Sequence, residues 1–424
     1  MGKTRTTSDL LQRRQRLLGP AYRLFYEEPV HLVRGEGVWL FDPAGERYLD
    51  VYNNVASVGH CHPHVVGAIA RQAAHLNTHT RYLHEAVLDY AERLLAMFPP
   101  EIGNVMFTCS GSEANDLALR VAETCTGGTG FIVTANAYHG VTQALAKLSP
   151  SLGLPIDPGC PVRLVPAPSE CGNPGASFAA GVCKAIEDMR AHGIQPAALL
   201  VDTIFSSDGV FPDPSGFLQP AVAAIRAAGG LFIADEVQPG FGRTGTHMWG
   251  FQRHGLVPDL ITMGKPMGNG HPVAAMAAKP ELLAEFGRRS RYFNTFGGNP
   301  VSVAAGLAVL DVIENEGIMA NAATIGAYLQ GGLREIAGRY PLISAIRGAG
   351  LFIGIELCRD GKPATQDAAR IVNELRKRHV LISAAGPQSN VLKIRPPLVF
   401  GRDHADLFMA TLDQVLADLR LVQA

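Results

Sequence analysis

Between residues 105 and 263, short apolar runs alternate with stretches of helical period. Val105–Cys109, Gly130–Thr134, Ala198–Asp202, Leu231–Asp235 and Asp259–Met263 are apolar at most positions, as strands covered on both faces are. Helices are expected to follow from Glu113, Phe217 and Pro280. Strands and helices in alternation predict an α/β fold with a mostly parallel sheet. Ser149–Ser177, rich in Pro and Gly, keeps neither period and is expected to be a long surface excursion. After about residue 300 the texture changes. Val301–Asn315 predicts a strongly apolar helix and Leu342–Cys358 a hairpin around glycines. Ala368–His379 predicts an amphipathic helix, and Val391–Ile394 a further strand. The expected division is a large domain over 61–300 and a smaller α+β domain over 301–424, to which residues 1–60 contribute.

A chain of 424 residues exceeds what one core usually serves, in keeping with two lobes. Its 37 basic and 38 acidic residues nearly cancel, so no global field recruits nucleic acid or an anionic membrane. No window of apolar residues is long enough to span a bilayer. The seven cysteines are odd in number and make no C-x-x-C pair, which argues against a disulfide framework or zinc ribbon. Reduced thiols in a cytoplasmic enzyme are the expectation. The start Met1-Gly-Lys-Thr-Arg-Thr6 lacks the apolar core of a signal peptide and fits the loose myristoylation pattern.

Ligands in open parallel sheets sit beyond the carboxyl ends of the strands. Lys265 falls there, in Thr-Met-Gly-Lys-Pro-Met-Gly-Asn-Gly. Its glycines let backbone approach a ligand, and a partly desolvated lysine attacks carbonyls. A surface-loop lysine is the plainer reading. Asp235 ends an apolar strand, where a buried carboxylate must find a cation; a protonated pyridine nitrogen or a buried salt bridge would serve. Cys109-Ser-Gly-Ser-Glu-Ala-Asn115 lies between strand and helix. There Ser110, Gly111 and Ser112 could cradle a phosphate, or Ser110 could simply cap the helix. Tyr138, in Tyr-His-Gly, offers an aromatic face to a ring or to the core. His60, Cys61, His62 and His64 tempt a metal reading, but Pro63 breaks the run and no metal is expected.

In this order, from about Gly19 to the C-terminus, these motifs resemble the class III (ω-type) aminotransferases. The resemblance implies the type I fold of pyridoxal-5′-phosphate (PLP) enzymes, with the large domain binding the cofactor. It makes Lys265 the Schiff-base lysine and Asp235 the partner of the pyridine nitrogen. Gly111 and Ser112 match the phosphate loop, Tyr138 the stacking aromatic, and Val237 the opposite ring face. Gln238 matches the residue near the ring hydroxyl. Thr295, in Phe-Asn-Thr-Phe-Gly-Gly-Asn-Pro, matches a threonine that reaches the phosphate of the neighbouring subunit, which implies a homodimer with shared sites.

Two positions leave the transaminase pattern. Ser207, in Phe-Ser-Ser-Asp-Gly, stands where a glutamate is usual, and Lys393, in Leu-Lys-Ile-Arg-Pro-Pro, stands for the arginine that holds a substrate carboxylate. Lysine and arginine are not equivalent at such a site. Asn53–Pro63, Leu76–His84, Thr262–Pro272 and Val391–Pro397 are most similar to the phospholyase branch of class III, whose members act on ethanolamine phosphate or phosphohydroxylysine. That branch implies elimination of phosphate from a phosphorylated primary amine. Cations are then needed for the leaving group, and Tyr22, Arg23, Asn53, Asn54 and Arg81 are the candidates, with Lys393 and Arg395 behind them. An ordinary transaminase and a non-catalytic PLP-binding protein are the competing readings.

Overall fold

The computed structural model describes residues 7–153, 160–168 and 173–423. The myristoylation pattern and residues 154–159 and 169–172 of the expected excursion lie outside the described residues.

The apolar runs assemble, among the described residues, into a seven-stranded sheet. From edge to edge the order is Asn104–Thr108, Ala274–Ala278, Leu260–Met263, Leu231–Asp235, Pro196–Asp202, Gly130–Thr134 and Val162–Val165. Ala274–Ala278 is antiparallel to both its neighbours. The other six run in one direction and bring their carboxyl ends to one edge. Helices cover the sheet, which explains the uninterrupted apolar character of Gly130–Thr134, buried at all five positions.

Gly111–Thr126 is the helix that matters most for the site. It buries Leu117, Ala118, Val121 and Ala122 and ends at Gly127, whose φ of 68° suits a residue without Cβ. Pro300–Asn315 starts at Asn299, whose side chain accepts from the Ser302 amide, and is buried along most of its length. Thr365–Lys377, by contrast, buries one stripe only.

Ile343–Ala349, Phe352–Arg359, Val391–Ile394 and Ser383–Ala385 form a second, antiparallel sheet. In a third sheet Arg47–Asp50 pairs in parallel with Val380–Leu381, so early and late parts of the chain share one ladder. The expected excursion needs correction: Val162–Val165 within it is the edge strand of the large sheet, and Pro174 opens the helix Pro174–Ala191. Isolated prolines flank that strand and hid its short apolar run.

Candidate active site

The carboxyl edge of the large sheet opens into a cavity of about 280 Å³. Its walls include Ser110, Gly111, Ser112, Tyr138, Asp235 and Lys265, the groups that follow separate strands in the sequence. Val237, Gln238, Asp202 and Asn115 also line it.

Asp235 ends its strand 4 % exposed, and its carboxylate is held from three sides. Oδ2 accepts from Asn115 Nδ2 at 2.9 Å and lies 2.7 Å from His139 Nδ1. Oδ1 accepts from the Val237 amide at 3.0 Å. Asn115 is itself fixed, donating also to the His139 carbonyl and accepting from the Thr262 hydroxyl at 2.6 Å. A carboxylate held by these three contacts has no freedom to turn away. Asn115 and Thr262 had no role in the sequence reading; their spacing of 147 residues gives no local signal.

Lys265 follows the strand Leu260–Met263 across the cavity, with Nζ 5.9 Å from the Tyr138 ring centroid. Burial, and then the positive charge of Arg395, pull its ammonium below the usual lysine range. An amine so placed is neutral more often than a surface lysine and is the better nucleophile and base.

The phosphate loop is more divided in its duties than the sequence suggests. The Ser110 hydroxyl caps the helix, accepting from the Glu113 amide and donating to the Glu113 carboxylate, both at 3.2 Å. The amides of Gly111 and Ser112 remain: no described group accepts from them, and they stand at the N-terminus of a 16-residue helix. A Cβ on Gly111 would lie 2.9 Å from Val237 Cγ2, and one on Gly140, at φ 144°, 2.6 Å from Ser112 Oγ. Both glycines therefore keep the cradle open.

Behind Gln238, and not themselves lining the cavity, Lys393 and Arg395 occupy alternate positions of one strand and its exit, and so share a face. They are 7 % exposed each. Arg395 Nη1 donates to Gln238 Oε1, while its Nε is buried without a partner. Lys393 Nζ makes no hydrogen bond or ion pair among the described residues. Burial, reinforced by Arg395, holds the Lys393 ammonium well below its ordinary value. The nearby carboxylates are engaged elsewhere: Asp50 by His60, Asp202 by Ser206 and Asp208 by Thr134.

The remaining candidates scatter. Asn54 is buried and reaches Gln238 Oε1 at 3.5 Å. Asn53 spends its side chain on the Val55 amide. Tyr22 and Arg23 are exposed, and Arg81 is exposed with its guanidinium over the Phe293 ring. Thr295 is exposed on a segment tied to the phosphate loop, where Asn294 contacts Glu113 at 3.2 Å. Ser207 uses its carbonyl to accept from Asn136 and Gly386, and the next residue, Asp208, supplies a buried carboxylate instead. His60, His62 and His64 diverge to Asp50, Glu316 and Asp311.

The residues present fit PLP. Two helix amides without an acceptor among the described residues suit a phosphate, Asp235 presents a fixed carboxylate, and the half-buried Lys265 stands across the same cavity.

Comparison with known proteins places these features. The profile described as aminotransferase class-III matches residues 25–416. An Arthrobacter structure described as a phospholyase in complex with phosphoethanolamine is 46% identical, with a TM-score of 0.93 over 96% of this chain and 99% of that one. Among curated relatives, alanine–glyoxylate aminotransferase 2-like of Drosophila melanogaster is 41% identical over 95% of this chain and 85% of its own length. Ethanolamine-phosphate phospho-lyase homolog 1 of Caenorhabditis elegans is 36% identical over 97% and 94%.

Proposed function

The chain belongs to the class-III aminotransferase family of PLP enzymes with the type I fold, and within that family we propose a phospho-lyase that removes phosphate from a phosphorylated primary amine. Ethanolamine phosphate is the proposed substrate. Its C–O bond to phosphate breaks and water replaces the nitrogen, giving acetaldehyde, ammonia and phosphate.

PLP, when bound, supplies a carbonyl for the substrate amine and a ring that takes up an electron pair. The chain's own residues do the rest. Gly111 and Ser112 would hold the cofactor phosphate through their amides, and Asp235 would favour the protonated form of the ring nitrogen. Val237 and Tyr138 would flank the ring. Lys265 would carry the cofactor and remove the proton from the carbon bearing the substrate nitrogen.

The observation that carries the lyase reading is the pair Lys393 and Arg395. Two basic side chains are buried on one face with no carboxylate partner among the described residues, and an arriving anion would restore the charge that burial takes from Lys393. Buried charges call for a counter-charge. A dianionic phosphate meets two cations better than a single carboxylate does, and its charge grows as it leaves. The likeness to the Arthrobacter phospholyase supports the same reading. The Drosophila relative's name supports a second one, transfer of the amino group to a keto acid. Purified protein loaded with PLP and given ethanolamine phosphate, without any keto acid, separates the two. Stoichiometric phosphate and acetaldehyde are expected. Rapid transfer to pyruvate or glyoxylate, with no phosphate from any phosphorylated amine, would overturn the lyase reading.

We further propose a homodimer in the cytoplasm. Exposed Thr295, Tyr22, Arg23 and Arg81 would act at the partner's site, and sedimentation of the holoenzyme at twice the chain mass is the expected result.

A further inference from the structure

Arg395 has no acid of its own, yet it is held. Its Nη1 donates to Gln238 Oε1, and Gln238 Nε2 donates to Ser206 Oγ at 2.5 Å. Ser206 Oγ donates in turn to Asp202 Oδ2, which also accepts from the Ser206 amide at 3.0 Å. The Ile204 amide reaches Oδ1 at 3.1 Å. Asp202 lies directly opposite Asp235 on the adjacent parallel strand and lines the same cavity.

The direction of every bond in this row is forced. Burial, and then Asp235 opposite, push the Asp202 carboxyl above the ordinary aspartate range, so the direction follows from the other end of the row. A guanidinium only donates, so Gln238 turns its carbonyl to Arg395, where it also receives Asn54 Nδ2, and its NH₂ to Ser206 Oγ. The single hydroxyl proton of Ser206 then goes to Asp202. Reversing any member would set donor against donor in a buried place. The carboxyl sits at one end of the row and the guanidinium at the other, so Arg395 is oriented without a direct ion pair. Its buried Nε stays unspent.

We propose that Asp202 and Ser206 are positioning residues which, by fixing the polarity of Gln238, hold Arg395 ready to bind the anionic group of the substrate. This rests on the phospho-lyase reading only in taking that group to be phosphate. Nothing in the local sequence connects these residues: Arg395 is 157 positions from Gln238, and Gln238 is 32 from Ser206.

The test uses the PLP-loaded enzyme and inorganic phosphate as the probe, with dissociation constants from calorimetry. Ser206→Ala and Asp202→Asn are expected to weaken phosphate roughly tenfold each, the scale of one charge-assisted hydrogen bond. In an Arg395→Ala background neither change has a further effect, because the row then ends on nothing. A general structural role would act equally in both backgrounds. Circular dichroism checks that each variant is folded, and Asp202→Asn, equal in shape, provides a second variant should Ser206→Ala disturb packing. Unchanged phosphate affinity in folded Ser206→Ala and Asp202→Asn, effects that persist undiminished beside Arg395→Ala, or a wild type that does not bind phosphate would each overturn the relay. Phosphate release from ethanolamine phosphate by the wild type is scored separately. If release occurs while the variants bind phosphate normally, the relay fails and the lyase reading stands.

Discussion

Replacing Asp235 with Asn is the most informative single change at this site. The substitution conserves shape but gives the side chain one acceptor and one NH₂ group where two acceptors stood. If its oxygen takes the Oδ2 position, it keeps Asn115 and His139, and the NH₂ then faces the Val237 amide that now donates to Oδ1 at 3.0 Å. The opposite orientation sets the NH₂ against Asn115 Nδ2. Either way one buried donor faces another, a cost of about 1–3 kcal/mol in stability. The carboxylate proposed to face the ring nitrogen disappears as well, and removing one preorganised electrostatic contact typically lowers turnover by about 100-fold or more. Together these predict a melting temperature several degrees lower and a turnover number down by at least that factor, with PLP still bound at saturating concentration. Initial rates of phosphate release, with thermal melts of the holoenzyme, measure both. A variant with turnover within about threefold of the wild type would show that Asp235 does not face the reacting system, and the assignment of the site would have to be withdrawn.

Protein purified with PLP should be yellow, and borohydride should fix the cofactor to Lys265; Lys265→Ala should abolish turnover, and a colourless protein in excess PLP would contradict the cofactor assignment. Gly140→Ala places a Cβ 2.6 Å from Ser112 Oγ at a φ of 144°, so PLP affinity measured by fluorescence titration should fall, with a stability loss of about 1–3 kcal/mol. Burial pushes the Asp208 carboxyl up to about 6. Against an ordinary aspartate near ~3.9, the folded protein binds that proton more tightly than the unfolded chain does, so stability falls as pH rises from about 4 to about 6. Asp208→Asn should flatten that part of the melting-temperature profile, and an unchanged slope would refute the attribution. Arg81→Ala and Arg23→Ala should raise the Michaelis constant for ethanolamine phosphate while leaving PLP uptake intact; unchanged kinetics would remove both from the substrate's path.

The sequence was most legible where one local cause decides the structure. Gly130–Thr134, Leu231–Asp235 and Val391–Ile394 have the bounds their apolar runs predict, since a strand covered on both faces is written as such a run. Asp235 could be singled out because it ends one of these runs, and Lys265 and Gly111 because each closely follows another apolar run, now the strands Leu260–Met263 and Asn104–Thr108. Ala274–Ala278 was not legible. Alanines have little preference for strands, and this one exists because two neighbours offer it ladders on both sides. The helices Ile318–Ala337 and Arg402–Gln423 were also missed. On the substrate side, Arg395 ranked behind Arg23 and Arg81, because its burial depends on Tyr52, Gln238 and Val51 from distant segments.

The ladder that joins Arg47–Asp50 to Val380–Leu381, continued by the bond from the Arg395 amide to the Val51 carbonyl, sets an order of assembly. All seven strands of the large sheet lie between residues 104 and 278, so a nascent chain can complete that sheet, with Lys265 in place, while residues 279 onward are still being made. The segment around Asp50 must wait, its partner strand unsynthesised, for more than three hundred positions of translation. During that interval Lys265 has been made while Lys393 and Arg395, later in the chain, have not. Long-range pairings of this kind form late and slowly.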